Sequence, residues 1–323
     1  MPDTGILYGE TSTFKTTNMG FAAEHFYEVT GGATGRLICS DAQGPTILQP
    51  YIDAGMLEPY NFLSADEPEY TMRKLVEGYW PDASGKMTPP VPGTFGRGKV
   101  GWYLVDTIGG IGDCLMDKLR QDGRQIGQDV VGKWSIGTGD QTEKFCNNPP
   151  SHYGWVQREV LSWMRNMSGL PVAAILYGAH EAKGESEDNK LPIRGPSLVG
   201  TAATPRIPKD LGYCIHMEAY TRDVTDEATK IMTKETKVRG FFVNHPDQAF
   251  PQITYKCNPR VPVGGMARLM ERFPGGFFVP TLEHGLDEFL RERHAILKEM
   301  AGSKAALKAA IDQKVSEGKK VSA

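Results

Sequence analysis

Residues 5–17 read Gly-Ile-Leu-Tyr-Gly-Glu-Thr-Ser-Thr-Phe-Lys-Thr-Thr and carry most of the information about the fold. A short apolar strand leads into a polar turn, then a lysine and two threonines that can open a helix. The phosphate-binding loop pattern requires glycine, four free positions, glycine, lysine and serine or threonine. Gly9, Lys15 and Thr16 match this pattern, whereas Phe14 stands in place of the second glycine. The stretch therefore predicts a phosphate-binding loop with one departure.

The predicted loop gives each of its residues a role. Backbone N–H groups of residues 10–16 would surround a phosphate at the N-terminus of the next helix, where the helix dipole favours an anion. Lys15 would reach the β- and γ-phosphate oxygens, and the Thr16 hydroxyl would bind Mg²⁺. Phe14 interferes only if its Cβ meets the nucleotide or its φ is positive, which costs about 1–2 kcal/mol. The predicted nucleotide-binding set is Gly9, Glu10, Thr11, Ser12, Thr13, Phe14, Lys15, Thr16 and Thr17.

Composition excludes several classes of protein. The chain has 323 residues, of which 40% are hydrophobic and 23% charged, as expected for a soluble globular protein. A net charge of −3 excludes the overall basic field that marks many nucleic-acid binders. We find no apolar run long enough for a membrane span and no leader peptide, so we expect a cytoplasmic location. Five scattered cysteines without a C-x-x-C pair argue against a zinc site and against disulfides.

Continuous apolar strands separated by helical segments predict an α/β fold with a parallel sheet covered on both faces. The predicted strands are the one before the loop and residues 36–41, 100–106 and 171–177, with further strands at residues 213–220 and 239–244. We expect the charged residues 181–194 to form a mobile loop. We divide the chain into a core, residues 1–280, and a C-terminal helix with a basic tail, residues 281–323.

Chemically active side chains follow the predicted parallel strands at their carboxyl ends, the edge where such sheets bind ligands. Asp106 would support Mg²⁺, although it could instead cap the next helix. Asp41 or Gln43 would orient the attacking water, and His180 would contact the γ-phosphate. A turn residue at Gln43 and a strand-capping role for His180 remain the alternatives. The predicted catalytic set is therefore Lys15, Gln43, Asp106 and His180, with Thr16 and Asp106 as the metal-binding pair.

The motifs GETSTFKTT, SDAQG, YLVDTIGG, YGAHE and GPSLVGTAA occur in this order within residues 5–220. In this order they resemble those of RecA-type recombination ATPases, and most closely the phage-encoded Sak group of single-strand-annealing ATPases. The resemblance implies a RecA-like P-loop NTPase core, with a mostly parallel central sheet flanked by helices and a C-terminal helical extension.

The same resemblance implies the ligands and partners. ATP and Mg²⁺ would bind at a subunit interface of a homo-oligomeric filament or ring, and residues 183–200 would contact single-stranded DNA. A single-strand-binding protein would be a further partner, no membrane would be involved, and a phage-encoded protein would act in the bacterial host cytoplasm. Arg239, Lys256 and Arg260 are candidates for phosphate contacts made in trans, with solvated surface as the alternative.

Two departures from the family pattern bear on catalysis. Phe14 replaces the loop glycine, and Gln43 stands where RecA-like proteins place a catalytic glutamate. Three functions therefore stay open: an ATP-dependent recombination protein acting on single-stranded DNA, a nucleotide-dependent structural or regulatory subunit with little turnover, and a DNA-packaging or translocating motor. The motor is disfavoured because Thr107, not an acid, follows Asp106 and no nuclease domain is evident.

Overall fold

The computed structural model of the chain describes residues 2–41, 44–96, 98–122, 132–136, 143–147, 150–185, 190–199, 203–225 and 232–302. The helices are α1 (Lys15–Val29), α2 (Gly44–Ile47), α3 (Gln49–Asp53), α4 (Pro68–Val76), α5 (Ile108–Asp122), α6 (Pro150–Met167), α7 (Val263–Arg272) and α8 (residues 286–302). Within the described ranges, no helix is both long enough and apolar enough to cross a membrane.

The strands of the central sheet are β1 (Asp3–Gly9), β2 (Thr34–Cys39), β3 (Leu57–Asn61), β6 (Val100–Asp106), β9 (Ala174–Glu185), β10 (Pro192–Pro196), β11 (Tyr213–Thr225), β12 (Met232–Phe241), β13 (His245–Pro246), β14 (Thr254–Tyr255) and β15 (Phe277–Phe278). Two small hairpins lie outside it, formed by β4 (Trp80–Pro81) with β5 (Met87–Thr88) and by β7 (Gly132–Ile136) with β8 (Glu143–Asn147).

The middle of the sheet is parallel. Its strands lie in the order β3, β2, β6, β9, β1, β11, and every neighbouring pair in this series is parallel. Beyond β11 the antiparallel strands β12 and β15 continue the sheet. The far half of β9 turns away to pair with β10, which leads to β14 and β13. The predicted α/β class with a mostly parallel central sheet flanked by helices is confirmed.

Two apolar layers cover the faces of this sheet, because alternate residues of each central strand point to opposite sides. One face packs against α1 and α8, through residues that include Leu7, Leu104, Leu176, Phe26 and Phe289. The other packs against α4, α5 and α6, through residues that include Tyr103, Tyr177, Leu75, Leu115 and Val160. The carboxyl ends of the central strands therefore lie between two fixed layers of helices.

The expectation of a mobile loop over residues 181–194 is wrong where the structure describes it. The end of β9 pairs with β10 as an antiparallel hairpin in which Lys183 lies opposite Arg194 and Glu181 opposite Pro196. Charged residues are compatible with this ribbon because Arg194 forms ion pairs with Glu181 and Asp247. The many charged residues are therefore compatible with regular β-structure and do not by themselves indicate an irregular loop.

Candidate phosphate-binding site

The loop between β1 and α1 lies at the carboxyl end of β1, in the middle of the sheet. At Gly9 the chain passes so close to β11 that an added Cβ would lie 2.2 Å from the carbonyl oxygen of Met217. Only glycine fits at this position. The loop then turns through Ser12 and Phe14, with φ values of 64° and 57°, and α1 begins at Lys15.

Phe14 adopts the left-handed conformation, with φ 57° and ψ 30°. Phe14 therefore has the positive φ that would disturb the loop, and this conformation costs about 1–2 kcal/mol for a residue with a Cβ. Its side chain is 56% exposed, so burial of the ring offsets little of this strain. Strained backbone conformations are frequent at functional sites, where surrounding contacts fix the backbone.

Lys15 folds back into the loop. Its Nζ donates hydrogen bonds to the carbonyl oxygens of Gly9, at 3.0 Å, and Glu10, at 2.6 Å. Burial lowers the pKa of Lys15, while the carboxylates of Asp106 and Glu181 oppose that shift. The ammonium group thus lies inside the loop, where it can exchange carbonyl oxygens for phosphate oxygens.

Thr16 and Asp106 form a contact between the start of α1 and the end of β6. The Thr16 hydroxyl donates to Oδ2 of Asp106 at 2.8 Å. Asp106 is 1% exposed, and burial raises the pKa of its carboxyl, with the negative charge of Asp41 adding to the rise. Two glycines leave room for this carboxylate, since an added Cβ would lie 2.9 Å from it at Gly178 and 3.1 Å at Gly44.

A hydroxyl beside a carboxylate is an oxygen donor set that suits Mg²⁺. Thr16 and Asp106 would hold the ion, with phosphate oxygens and water as its remaining ligands. When bound, Mg²⁺ would supply positive charge that offsets the negative charge of a phosphoryl group.

Thr107, not Asp106, caps the following helix. Its Oγ1 accepts a hydrogen bond from the N–H of Gly110 at 3.2 Å, in the first turn of α5. The Ser40 hydroxyl donates to the carbonyl oxygen of Thr107 at 2.6 Å and accepts from its N–H at 3.0 Å. The Asp106 carboxylate is therefore left to contact Thr16, and the alternative role of Asp106 as a helix cap is not what the structure shows.

His180 reaches the same edge from β9, where it is in register with Gly9 of β1. Partial desolvation of its ring, together with the positive charge of Lys15, lowers the pKa of His180. Asp41 follows β2, and its negative charge acts on Lys15, Asp106 and His180. Lys15, Asp41, Asp106 and His180 therefore lie close enough at this edge for their charges to act on one another, whereas Gln43 lies outside the described residues.

The three candidates for contacts in trans lie elsewhere. Arg239, on β12, donates to Glu218 at 2.7 Å, and its guanidinium stacks over the ring of Tyr220 at 4.2 Å. Lys256 follows β14, and Arg260 donates to the carbonyl oxygen of Lys209 near the start of β11. Within the described ranges, these three residues make no contact with the loop of the same chain.

A buried polar cluster beside the loop was missed by the sequence reasoning. Glu181, whose side chain is 7% exposed, lies 2.5 Å from Nη1 of Arg194 and 3.1 Å from Nε2 of His216. Burial favours a raised pKa for Glu181, but His216 and Arg194 outweigh it and lower the pKa. Nδ1 of His216 in turn contacts Nε2 of His245 at 2.9 Å. The motif YGAHE contains Glu181, but its partners lie on β10, β11 and β13.

No family model matches the chain, and no curated protein matches it. Among solved structures, it is similar to a KaiC-like protein from the hyperthermophilic archaeon Pyrococcus horikoshii, at 12% identity and a TM-score of 0.32, over 74% of this chain and 77% of that one. It is also similar to the RadB recombinase, at 8% identity and a TM-score of 0.33, over 73% of this chain and 86% of that one. Similarities at this level of identity and TM-score support no inference about function. The candidate site is therefore defined by the geometry of the chain itself.

Proposed function

We propose that this chain is a RecA-like P-loop ATPase that binds ATP with Mg²⁺ and acts on single-stranded DNA in recombination or annealing. The observation that carries the proposal is the 2.8 Å contact of the Asp106 carboxylate with the hydroxyl of Thr16, the residue that follows the buried Lys15. A lysine, a hydroxyl and a carboxylate at the carboxyl edge of a parallel sheet form the set that phosphoryl transfer requires.

In this proposal the backbone N–H groups of the loop and the N-terminus of α1 bind the β-phosphate. Lys15 leaves the carbonyl oxygens of Gly9 and Glu10 and contacts the β- and γ-phosphates. His180 donates to the γ-phosphate from the end of β9. Asp41 or Gln43 orients the attacking water.

The proposed partners rest on the resemblance of the sequence motifs to those of RecA-type recombination ATPases. The hairpin of β9 and β10 leaves directly from His180, and residues 183–200 would contact single-stranded DNA. We propose a homo-oligomeric filament or ring in which Arg239, Lys256 or Arg260 reaches the site of a neighbouring subunit. We further propose a phage-encoded protein in the bacterial host cytoplasm, with a single-strand-binding protein as a partner and with residues 1–280 as the ATPase core.

The test is Mg²⁺-dependent ATP binding and hydrolysis by the wild type and by Lys15→Ala, alone, with single-stranded DNA and with double-stranded DNA. We expect turnover stimulated by single-stranded DNA, lost in Lys15→Ala and on chelation of Mg²⁺. Lys86→Ala, on the hairpin of β4 and β5, is the matched control and should keep wild-type activity. Stimulation by double-stranded DNA alone would contradict the recombination role, and absence of ATP binding would overturn the proposal.

A second candidate, a nucleotide-dependent structural or regulatory subunit, is favoured by two observations. Phe14 is strained in the loop, and Lys15 already has hydrogen-bond partners on the loop backbone. A ligand would have to offset this strain and replace these hydrogen bonds, but neither feature removes a group that can bind phosphate. Tight Mg²⁺–ATP binding without turnover, with or without DNA, would select this candidate over the ATPase.

A further inference from the structure

A single buried side chain connects the phosphate-binding loop to the C-terminal helix. Asn18, in the first turn of α1, has no exposed surface. Its Nδ2 donates to the carbonyl oxygen of Phe14 at 2.9 Å, and its Oδ1 accepts from the backbone N–H of Leu286 at 3.1 Å. One amide group therefore links the strained residue of the loop to Leu286, the first residue of α8, which lies 268 positions after Asn18 in sequence.

Hydrogen bonds fix the start of α8 next to Asn18. Asp287 accepts a hydrogen bond from the N–H of Gly285 at 2.7 Å, which fixes the turn before the helix. An added Cβ at Gly285 would lie only 2.4 Å from Oδ1 of Asn18. Leu286 is fully buried in the same apolar layer as α1. The position of the Asn18 amide is therefore set from the α8 side as well as from α1.

Phe14 needs such support. A left-handed residue with a Cβ persists only when its surroundings fix the backbone. The Phe14 carbonyl accepts the ordinary helical hydrogen bond from the N–H of Asn18, at 3.0 Å, and in addition the bond from the Asn18 side chain. The second bond is the one that depends on α8, because the Leu286 N–H orients the amide.

We infer that Asn18 is a positioning residue that fixes the strained phosphate-binding loop and makes its ligand affinity depend on the docked C-terminal helix. This inference rests on the proposed nucleotide-binding function. It concerns residues that neither the loop pattern nor the family resemblance singles out. It predicts that changes at Gly285, far from the loop in sequence, weaken binding of Mg²⁺–ATP.

The experiment is a double-mutant cycle read by Mg²⁺–ATP affinity, measured by calorimetry on the full chain. Asn18→Ala and Gly285→Ala should each weaken binding about tenfold, the size expected for one lost hydrogen bond. In a Phe14→Gly background, where the loop is no longer strained, Asn18→Ala should weaken binding by less than about threefold. An equal loss in both backgrounds would show only general destabilisation and would overturn the inference.

One further measurement, amide hydrogen exchange, separates this inference from the proposed function. Amide hydrogen exchange of residues 9–16 in the protein without nucleotide should be faster in Asn18→Ala than in the wild type. Thr30→Ala, which removes a hydroxyl bond to the Phe26 carbonyl at the other end of α1, is the control and should leave that exchange unchanged. If the wild type binds no nucleotide, the proposed function fails, and the exchange rates still decide whether Asn18 fixes the loop. Unchanged exchange in Asn18→Ala would overturn the inference.

Discussion

Phe14 shows what a departure from a motif can cost, because its backbone adopts the left-handed conformation that glycine would adopt without strain. Replacing Phe14 by glycine relieves left-handed strain of about 1–2 kcal/mol. Glycine also makes the unfolded chain more flexible, which lowers the free energy of unfolding by about 0.5–1 kcal/mol. The exposed ring contributes little buried area that could be lost. We expect Phe14→Gly to raise the free energy of unfolding by about 0.5–1 kcal/mol in urea denaturation.

Phe14→Ala is the matched control for this prediction. It removes the ring but keeps the Cβ, so the backbone strain persists and the free energy of unfolding should not rise. A gain in Phe14→Ala equal to that in Phe14→Gly would show that the exposed ring, and not the backbone conformation, destabilises the protein.

At this scale the sequence predicted the residue types of the site but not their conformations. Gly9, Lys15 and Thr16 follow from the spacing of one motif, and Asp106 follows from its place at the end of an apolar strand. The φ value of Phe14 could not be predicted, because the spacing of a motif does not specify backbone conformation and a bulky residue rarely adopts positive φ. The choice between a metal-supporting and a capping Asp106 depended on Thr107, whose hydroxyl competes for the same helix end.

Among the elements, the hairpin of β9 and β10 depends on Arg194. Its guanidinium lies between the buried carboxylates of Glu181 and Asp247. Arg194→Ala would leave both carboxylates without this cation. We expect the variant to lower the free energy of unfolding by about 2 kcal/mol. The loss is smaller than for a fully buried ion pair because Arg194 is partly exposed. Urea denaturation measures the loss.

Arg222→Ala is the comparison for the hairpin. Arg222 pairs with Glu235 between β11 and β12, and both side chains are exposed. An exposed ion pair contributes less than about 1 kcal/mol, so this variant should unfold close to the wild type. If both arginine variants lost the same amount, the Arg194 cluster would be no more than a surface ion pair.

The contact between α1 and α8 makes stability depend on pH. Burial and the neighbouring His294 lower the pKa of His25 from 6.5 to about 4. The unfolded chain then binds the extra proton between pH 6.5 and 4, so the free energy of unfolding falls as the pH falls, by about 3 kcal/mol in total from this group. Urea denaturation at pH 7 and pH 4.5 should show a smaller fall in His25→Gln. An identical fall in the variant would exclude His25 as the source.

The strands of the parallel core were predictable because both faces are buried, which gives continuous apolar runs. β3 was not predicted, since most of its residues are exposed and it lies at the edge of the parallel series. The β9 and β10 hairpin was misassigned for a related reason. Its stability comes from pairs such as Arg194 with Asp247, which are distant in sequence and therefore leave no local pattern.

For the whole molecule, the proposed function predicts assembly that depends on the ligand. Mg²⁺–ATP should shift the protein from monomers to larger oligomers in light scattering coupled to gel filtration. Lys15→Ala should remain unassembled with ATP, since the nucleotide would no longer link neighbouring subunits. Oligomers of equal size with and without nucleotide would contradict a nucleotide-bridged interface.

The double role of β9 has a mechanical consequence for the whole molecule. Its first half lies between β1 and β6, and its second half continues as the hairpin with β10. From His180 to Glu185 the strand extends about 16 Å at its usual rise per residue. The inner half is paired on both sides within the sheet, whereas the outer half pairs with β10. A displacement of the hairpin would therefore reach His180 along the backbone of β9, at the point where the strand enters the sheet.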